Sequence, residues 1–234
     1  MANRIKPSAP YLILAGDIDI ISNGHVTRPD FFQYLSDHWQ EVYIIPGNHE
    51  FYKKGNVAAS YNLEFAIHPN VRYLNHQIIT LEGVDFMFTT LWSSVNTSLI
   101  KSLIADFRQC KYGDGPFKYK HHDELHGKAV KFLDKVLSPT KERARVVVSH
   151  FVPCQQANGY PKKSNNYMDP ILNRYFVADL ENRIQDWAID YWIYGHNHWD
   201  KNVDSLGVKF RSNQLGYTFS MEHTDFNFEK VIEI

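Results

Sequence analysis

Apolar positions along the chain follow two different periods. Short runs that are apolar on both faces occupy residues 11–15, 42–45, 145–148 and 191–194, and each ends abruptly in polar or glycine-rich sequence. Runs of that length and character predict strands buried within a sheet. Between them, residues 29–39 place Phe31, Phe32 and Leu35 at helical spacing, and residues 56–67, 97–107, 121–137 and 174–186 are read as helices too. Further short strands are expected at 71–74, 77–81 and 84–89, the last two joined through Glu82-Gly83 as a hairpin. The tail to Ile234 reads as short antiparallel strands. Strand–helix alternation early in the chain and hairpins late in it predict sheets layered together and flanked by helices.

Composition narrows the picture. The chain has 234 residues, 44% of them hydrophobic, which suits one core and a single domain over residues 1–234. A formal net charge of -1 gives no reason to expect nucleic acid or a membrane surface as partner, since both favour a basic face. Cys110 and Cys154 are too few for a disulfide framework and are read as free thiols in a reducing compartment. No apolar run approaches the roughly 20 residues that span a bilayer, and no secretory hydrophobic region precedes the first strand. The expected location is the cytoplasm.

The chemistry-bearing residues share one placement. Asp17, Asn48, His150 and His196 each follow a predicted strand by one to three residues. Loops leaving the carboxyl ends of strands converge on one crevice in open α/β sheets, so four strand ends can bring these four side chains together. A carboxylate, a carboxamide oxygen and several imidazoles form a mixed O/N set that suits Mn, Fe, Zn or a related divalent ion. His196 and His198 stand two apart after Gly195, where the backbone can turn tightly.

Gly16-Asp17, Gly47-Asn48-His49-Glu50, Val148-Ser149-His150 and Gly195-His196-Asn197-His198 together resemble the calcineurin-like metallophosphoesterase superfamily, in that family's order. The resemblance implies a four-layer α/β/β/α sandwich with the site at the strand ends. It also implies two divalent metal ions bridged by Asp17. Asn48, His150 and His196 would complete one ion's shell, and His198 would bind the other. His49 would contact the phosphoryl oxygen or protonate the leaving group, an imidazole being suited to proton transfer near pH 7. The implied substrate is a phosphorylated small molecule or a phosphodiester.

One family element is absent. The family opens with a strand carrying Asp-x-His, whose two residues bind the ion shared by His198. Here sixteen residues precede Asp17, and they contain neither Asp nor His. Either the chain begins late, or the first strand has been lost and only one metal is bound. A lost strand leaves an unfilled sheet edge, which a partner strand could fill. The alternative function is accordingly a catalytically impaired scaffold that keeps the fold and binds a protein partner.

Other positions invite weaker readings. Arg108, in Asp106-Phe107-Arg108, could hold a substrate phosphate. Asp19 could supply a substitute oxygen. Trp92 is expected in the core, Tyr175 to Glu181 as packing scaffold, and Lys162 and Lys163 as loop charges. His121, His122 and His126 are expected at the surface of their helix, because nothing nearby completes a metal shell.

Overall fold

The computed structural model describes residues 5–22, 25–160, 169–222 and 225–234. Its first sheet is four-stranded. It is built from β1 (Tyr11–Leu14), β2 (Glu41–Ile44), β3 (Glu64–His68) and β4 (Val71–Leu74), in the order β1-β2-β4-β3. β1, β2 and β4 run parallel, and β3 pairs antiparallel with β4. The second sheet is six-stranded. It contains β5 (Gln77–Leu81), β6 (Val84–Thr89), β7 (Ala144–Ser149), β8 (Tyr191–Ile193), β9 (Val203–Ser205) and β10 (Val208–Arg211), in the order β9-β10-β8-β7-β6-β5. Its inner four strands are parallel and its two outer ones antiparallel.

Three apolar cores bind four layers together. Helix α1 (Pro29–His38) buries Phe32 and Leu35 against Val42, Ile44, Val71 and Tyr73 on the outer face of the first sheet. Burying each such side chain contributes about 1.5–3 kcal/mol. Between the sheets, Tyr43, Ile45 and Leu74 meet Phe86, Phe88, Val146 and Val148. On the far side, helix α3 (Tyr119–Val136) packs Leu125, Ala129 and Leu133 into a core with Met87, Val147 and Trp192. The result is the α/β/β/α sandwich that the resemblance implied.

Several local expectations are corrected. Residues 56–67 do not form a helix: a 3-10 turn at Val57–Ser60 is followed by β3. There Leu63, Phe65 and Ile67 alternate onto the α1 core, a strand period that the helical reading missed. Residues 97–107 form a 3-10 turn at Ser98–Ser102 and the short helix α2 (Asp106–Gln109). The segment expected as one helix over 174–186 is divided between α4 (Asp169–Phe176) and α5 (Glu181–Ile184). In the tail, β9 and β10 pair antiparallel as expected, but β10 also runs parallel to β8, and no strand follows Arg211 among the described residues. His122 is fully buried rather than at the surface, its Nδ1–H donating to the Ser93 carbonyl at 2.6 Å. Trp92 is buried, as expected. Lys162 and Lys163 lie outside the described residues.

The first sheet ends at β1, and no strand lies beyond it among the described residues. Gln40 and Ile45 donate to the carbonyls of Pro10 and Leu14, so the even-numbered backbone groups of β1 face β2. Alternation turns the N–H and C=O of Tyr11 and Ile13 to the open side. β1 is apolar on both faces, as a central strand would be, yet all its residues are only half-buried. A cleft of about 1160 Å³ runs along this edge past Ile13, Phe86, Ile193 and Phe228 and reaches Asp17, His49 and His198.

Candidate metal centre

The loops that end β1, β2, β7 and β8 deliver Asp17, Asn48 with His49, His150, and His196 with His198 to one end of the two sheets. Close backbone approach makes this possible. A Cβ on Gly47 would collide with Asp17 Oδ1 and the His150 ring, and one on Gly16, whose φ is +91°, would collide with His150 Nδ1. Asp17, His196 and His198 are themselves held at φ of 59°, 79° and 58°. Non-glycine residues in this region cost about 1–3 kcal/mol each and cluster where function demands them.

Glu50 joins the first two loops. Its buried carboxylate accepts the backbone N–H groups of Asp17 at 2.9 Å, Ile18 at 2.7 Å and Gly47 at 2.7 Å. Burial, reinforced by Asp17, pushes Glu50 up to about 7, against the pull of the Ile18 and Gly47 amides. The His49 amide in turn donates to Asp17 Oδ1 at 2.9 Å. Asp17 is thus aimed by the chain around it.

Neighbouring groups decide which atoms His150 and Asn48 turn to the centre. His150 Nδ1 lies 2.7 Å from the Ala15 carbonyl; a carbonyl only accepts, so Nδ1 carries the proton and Nε2 turns its lone pair inward. The Asn48 amide group donates to Asp106 Oδ1 at 2.9 Å, which leaves Asn48 Oδ1 facing His150 Nε2 at 3.1 Å. Asp17 Oδ1 is 3.4 Å from the same nitrogen, and His196 Nδ1 is 3.0 Å from it. Ligand atoms of Asp17, His150 and His196 all lie within 4.8 Å of one another. Two oxygens and two ring nitrogens converging on one point are what a divalent cation requires, and the O/N mixture matches borderline metals.

Protonation follows the same logic. Burial pushes Asp17 up, but His150, and then His49 and His196, outweigh it and hold the carboxyl well below the usual range. Burial lowers His150, and Asp17 more than reverses it. Burial, then His150, drive His196 well below the ordinary imidazole value. The position draws positive charge to one point and resists a second proton beside it.

The outer residues are more open. His198 Nδ1 lies 2.8 Å from Glu222 Oε2, which orients the ring and frees Nε2 for the cleft. The His49 ring stacks on Tyr52 with centroids 4.1 Å apart, and its Nε2 is 3.9 Å from Asp17 Oδ2 and 3.4 Å from the Tyr217 hydroxyl. Two expectations are not met. Arg108 is exposed and reaches the Ser102 carbonyl at 3.4 Å, not the centre. Both carboxylate oxygens of Asp19 are occupied by Thr27 and Arg28, so it offers no substitute ligand. Conversely, Tyr175 is more than scaffold: its hydroxyl is 2.8 Å from Asp106 Oδ2 and 3.2 Å from Asn48 Nδ2. Glu222 and Tyr217 carried no sequence signal, because their loop meets the site only through tertiary folding; Tyr52, in the loop of Asn48 and His49 itself, was not singled out.

Comparison with known proteins agrees with this geometry. The chain is 28% identical over 242 residues to an uncharacterised protein of Acanthamoeba polyphaga mimivirus, covering 96% of this chain and 84% of that one. Its fold matches the crystal structure of phosphopantetheinyl hydrolase from Mycobacterium tuberculosis with a TM-score of 0.65 and 18% identity, over 95% of this chain and 86% of that one. The calcineurin-like phosphoesterase family model matches residues 1–200, a span that holds every strand-end block of the centre. With four motif blocks, a layered fold and a convergent donor set all in agreement, the chain belongs to the calcineurin-like phosphoesterase family, whose members generally bind divalent metals.

Proposed function

We propose that this chain is a metal-dependent phosphoesterase acting on a phosphomonoester or phosphodiester. One observation carries the reading: Asn48 Oδ1, His196 Nδ1 and Asp17 Oδ1 lie 3.0–3.4 Å from His150 Nε2, so two oxygens and two ring nitrogens converge on one point. These four residues would hold one divalent ion, and Asp17 with His198 would contribute to a second. Bound there, such ions polarise a phosphoryl group and lower the pKa of water towards neutrality.

The chain's own residues do the rest. His49 reaches the cleft beside Asp17 and stands on Tyr52, where it can give a proton to the departing alcohol oxygen. Tyr217 directs its hydroxyl to the same nitrogen and can hold a phosphoryl oxygen by hydrogen bonding. The test combines metal analysis of the purified protein with hydrolysis of an aryl phosphodiester in the presence of Mn. Bound metal and turnover lost in His49→Ala support the enzyme. Absence of both metal and turnover would favour the second reading, a scaffold that binds a protein partner, which draws its support from the open edge of β1.

A further inference from the structure

Behind the centre lies a carboxylate that touches neither the cleft nor any of the imidazoles. Asp106 opens α2 and is fully buried. Its Oδ1 accepts from Asn48 Nδ2 at 2.9 Å and from the Tyr52 hydroxyl at 2.8 Å, and its Oδ2 accepts from the Tyr175 hydroxyl at 2.8 Å. All three partners are donors. Each also belongs to the wall of the centre: Asn48 by its oxygen, Tyr52 by stacking under His49, and Tyr175 by its ring 5.0 Å from that of His196.

We infer that Asp106 is the positioning residue of the centre, fixing which end of the Asn48 carboxamide faces the metal. This rests on the metal reading of the site and deepens it. An unconstrained carboxamide can present either its oxygen or its amide group, and only the oxygen can bind a cation. A carboxylate has no proton to donate, so the group it faces must be the Asn48 NH2. The two tyrosines hold that carboxylate in place, and neither can replace it as an acceptor of its strength.

The isosteric change Asp106→Asn isolates this role. A carboxamide at position 106 has one oxygen for three donors. If its NH2 faces Asn48, the Asn48 group must turn over and aim its own NH2 at the metal. If its NH2 faces Tyr175, that hydroxyl is left without an acceptor in a buried position. Outer partners of metal ligands typically govern 10–100-fold in affinity.

The experiment is a titration of the metal-free protein with Mn or Zn, read as affinity. Asp106→Asn is expected to weaken binding by roughly 10–100-fold, and Tyr175→Phe by less, since it leaves the Asn48–Asp106 bond in place. Thermal melting of each metal-free variant separates lost folding from lost affinity, and Tyr175→Phe serves if Asp106→Asn does not fold. The decisive comparison is in an Asn48→Ala background. There Asp106→Asn should cost no further affinity, because the residue it acts through is gone. Wild-type affinity in Asp106→Asn, or an equal loss with and without Asn48, overturns the inference while leaving the metal reading intact. A wild-type protein that takes up no metal removes that reading, and the inference falls with it.

Discussion

The two halves of the centre are built by different means. Asn48, His150 and His196 form an inner half that is almost wholly buried, each fixed by contacts within the fold. Asp17, His49 and His198 form an outer half that faces the cleft along β1. In the inner half, the Asn48 carboxamide and the His150 ring are oriented before any ligand arrives. The outer half has fewer constraints: His49 has an aromatic stack and one amide-anchored neighbour, and His198 has Glu222. Preorganised burial suits a permanent metal site, whereas partial exposure suits groups that must meet substrate and exchange protons. On the proposed reading the inner residues only hold metal, whereas the outer half combines the metal-holding Asp17 and His198 with His49, the group that exchanges protons.

Mutations sharpen that contrast, beginning with the largest effect. His150→Ala removes the nitrogen around which all the other ligand atoms are placed. Metal affinity should drop by more than the roughly 100-fold typical of an outer partner, with turnover lost in parallel, as measured by metal content and aryl phosphodiester hydrolysis. His49→Ala should lower turnover by about 10²–10⁴-fold while metal content stays at the wild-type level. If metal content fell along with turnover, the division between halves would not hold. Glu222→Gln leaves the ligands in place but loosens His198, so turnover should fall by about 10-fold and added Mn should restore part of it.

A smaller effect concerns acid. Burial lowers His122 to about 4, and burial with Lys128 lowers His76 to about 4. His122 stands behind the inner half, its Nδ1–H on the Ser93 carbonyl and its ring 5.7 Å from that of Tyr175. Both groups stay neutral in the folded protein where the unfolded chain would already take up protons, so the unfolded state binds more protons between about pH 6.5 and 4. The contribution of these two groups should therefore be full above pH 6.5 and fall as pH drops towards 4. Melting temperature measured against pH in His76→Gln should show a shallower fall than in wild type. An unchanged slope would remove His76 from the account.

The open edge of β1 offers a second contrast, this time between sheets. Among the described residues, the second sheet is closed at both sides by antiparallel strands, β5 and β9, and the first only by β3. The backbone N–H and C=O groups of Tyr11 and Ile13 give this edge its physical form. Strand edges of this kind pair readily with other chains.

How far the sequence reaches can be followed residue by residue. Local pattern located β1, β2, β7 and β8, because an apolar run ending in a polar loop is a signal carried by neighbouring residues. It also located Asp17, Asn48, His150 and His196, because a ligand placed just past a strand inherits its position from that strand. Where two periods compete, pattern failed: residues 56–67 satisfy a helical spacing, yet pairing with β4 selected the strand. His122 was misplaced for a related reason, since burial of a helix face depends on what packs against it, here Trp92 and Phe151.

The motif blocks and their order, read alone, pointed to the family, the layered fold and the chemical type of the centre, because each block is a run of neighbouring residues at the end of a strand. Which atom of each ligand points inward was decided only by tertiary structure. The Asn48 oxygen is selected by Asp106, which lies 58 positions away, and the His150 nitrogen by the Ala15 carbonyl, 135 positions away. A hydrogen bond fixes direction through the position of its partner, and no local pattern encodes a partner brought in by folding.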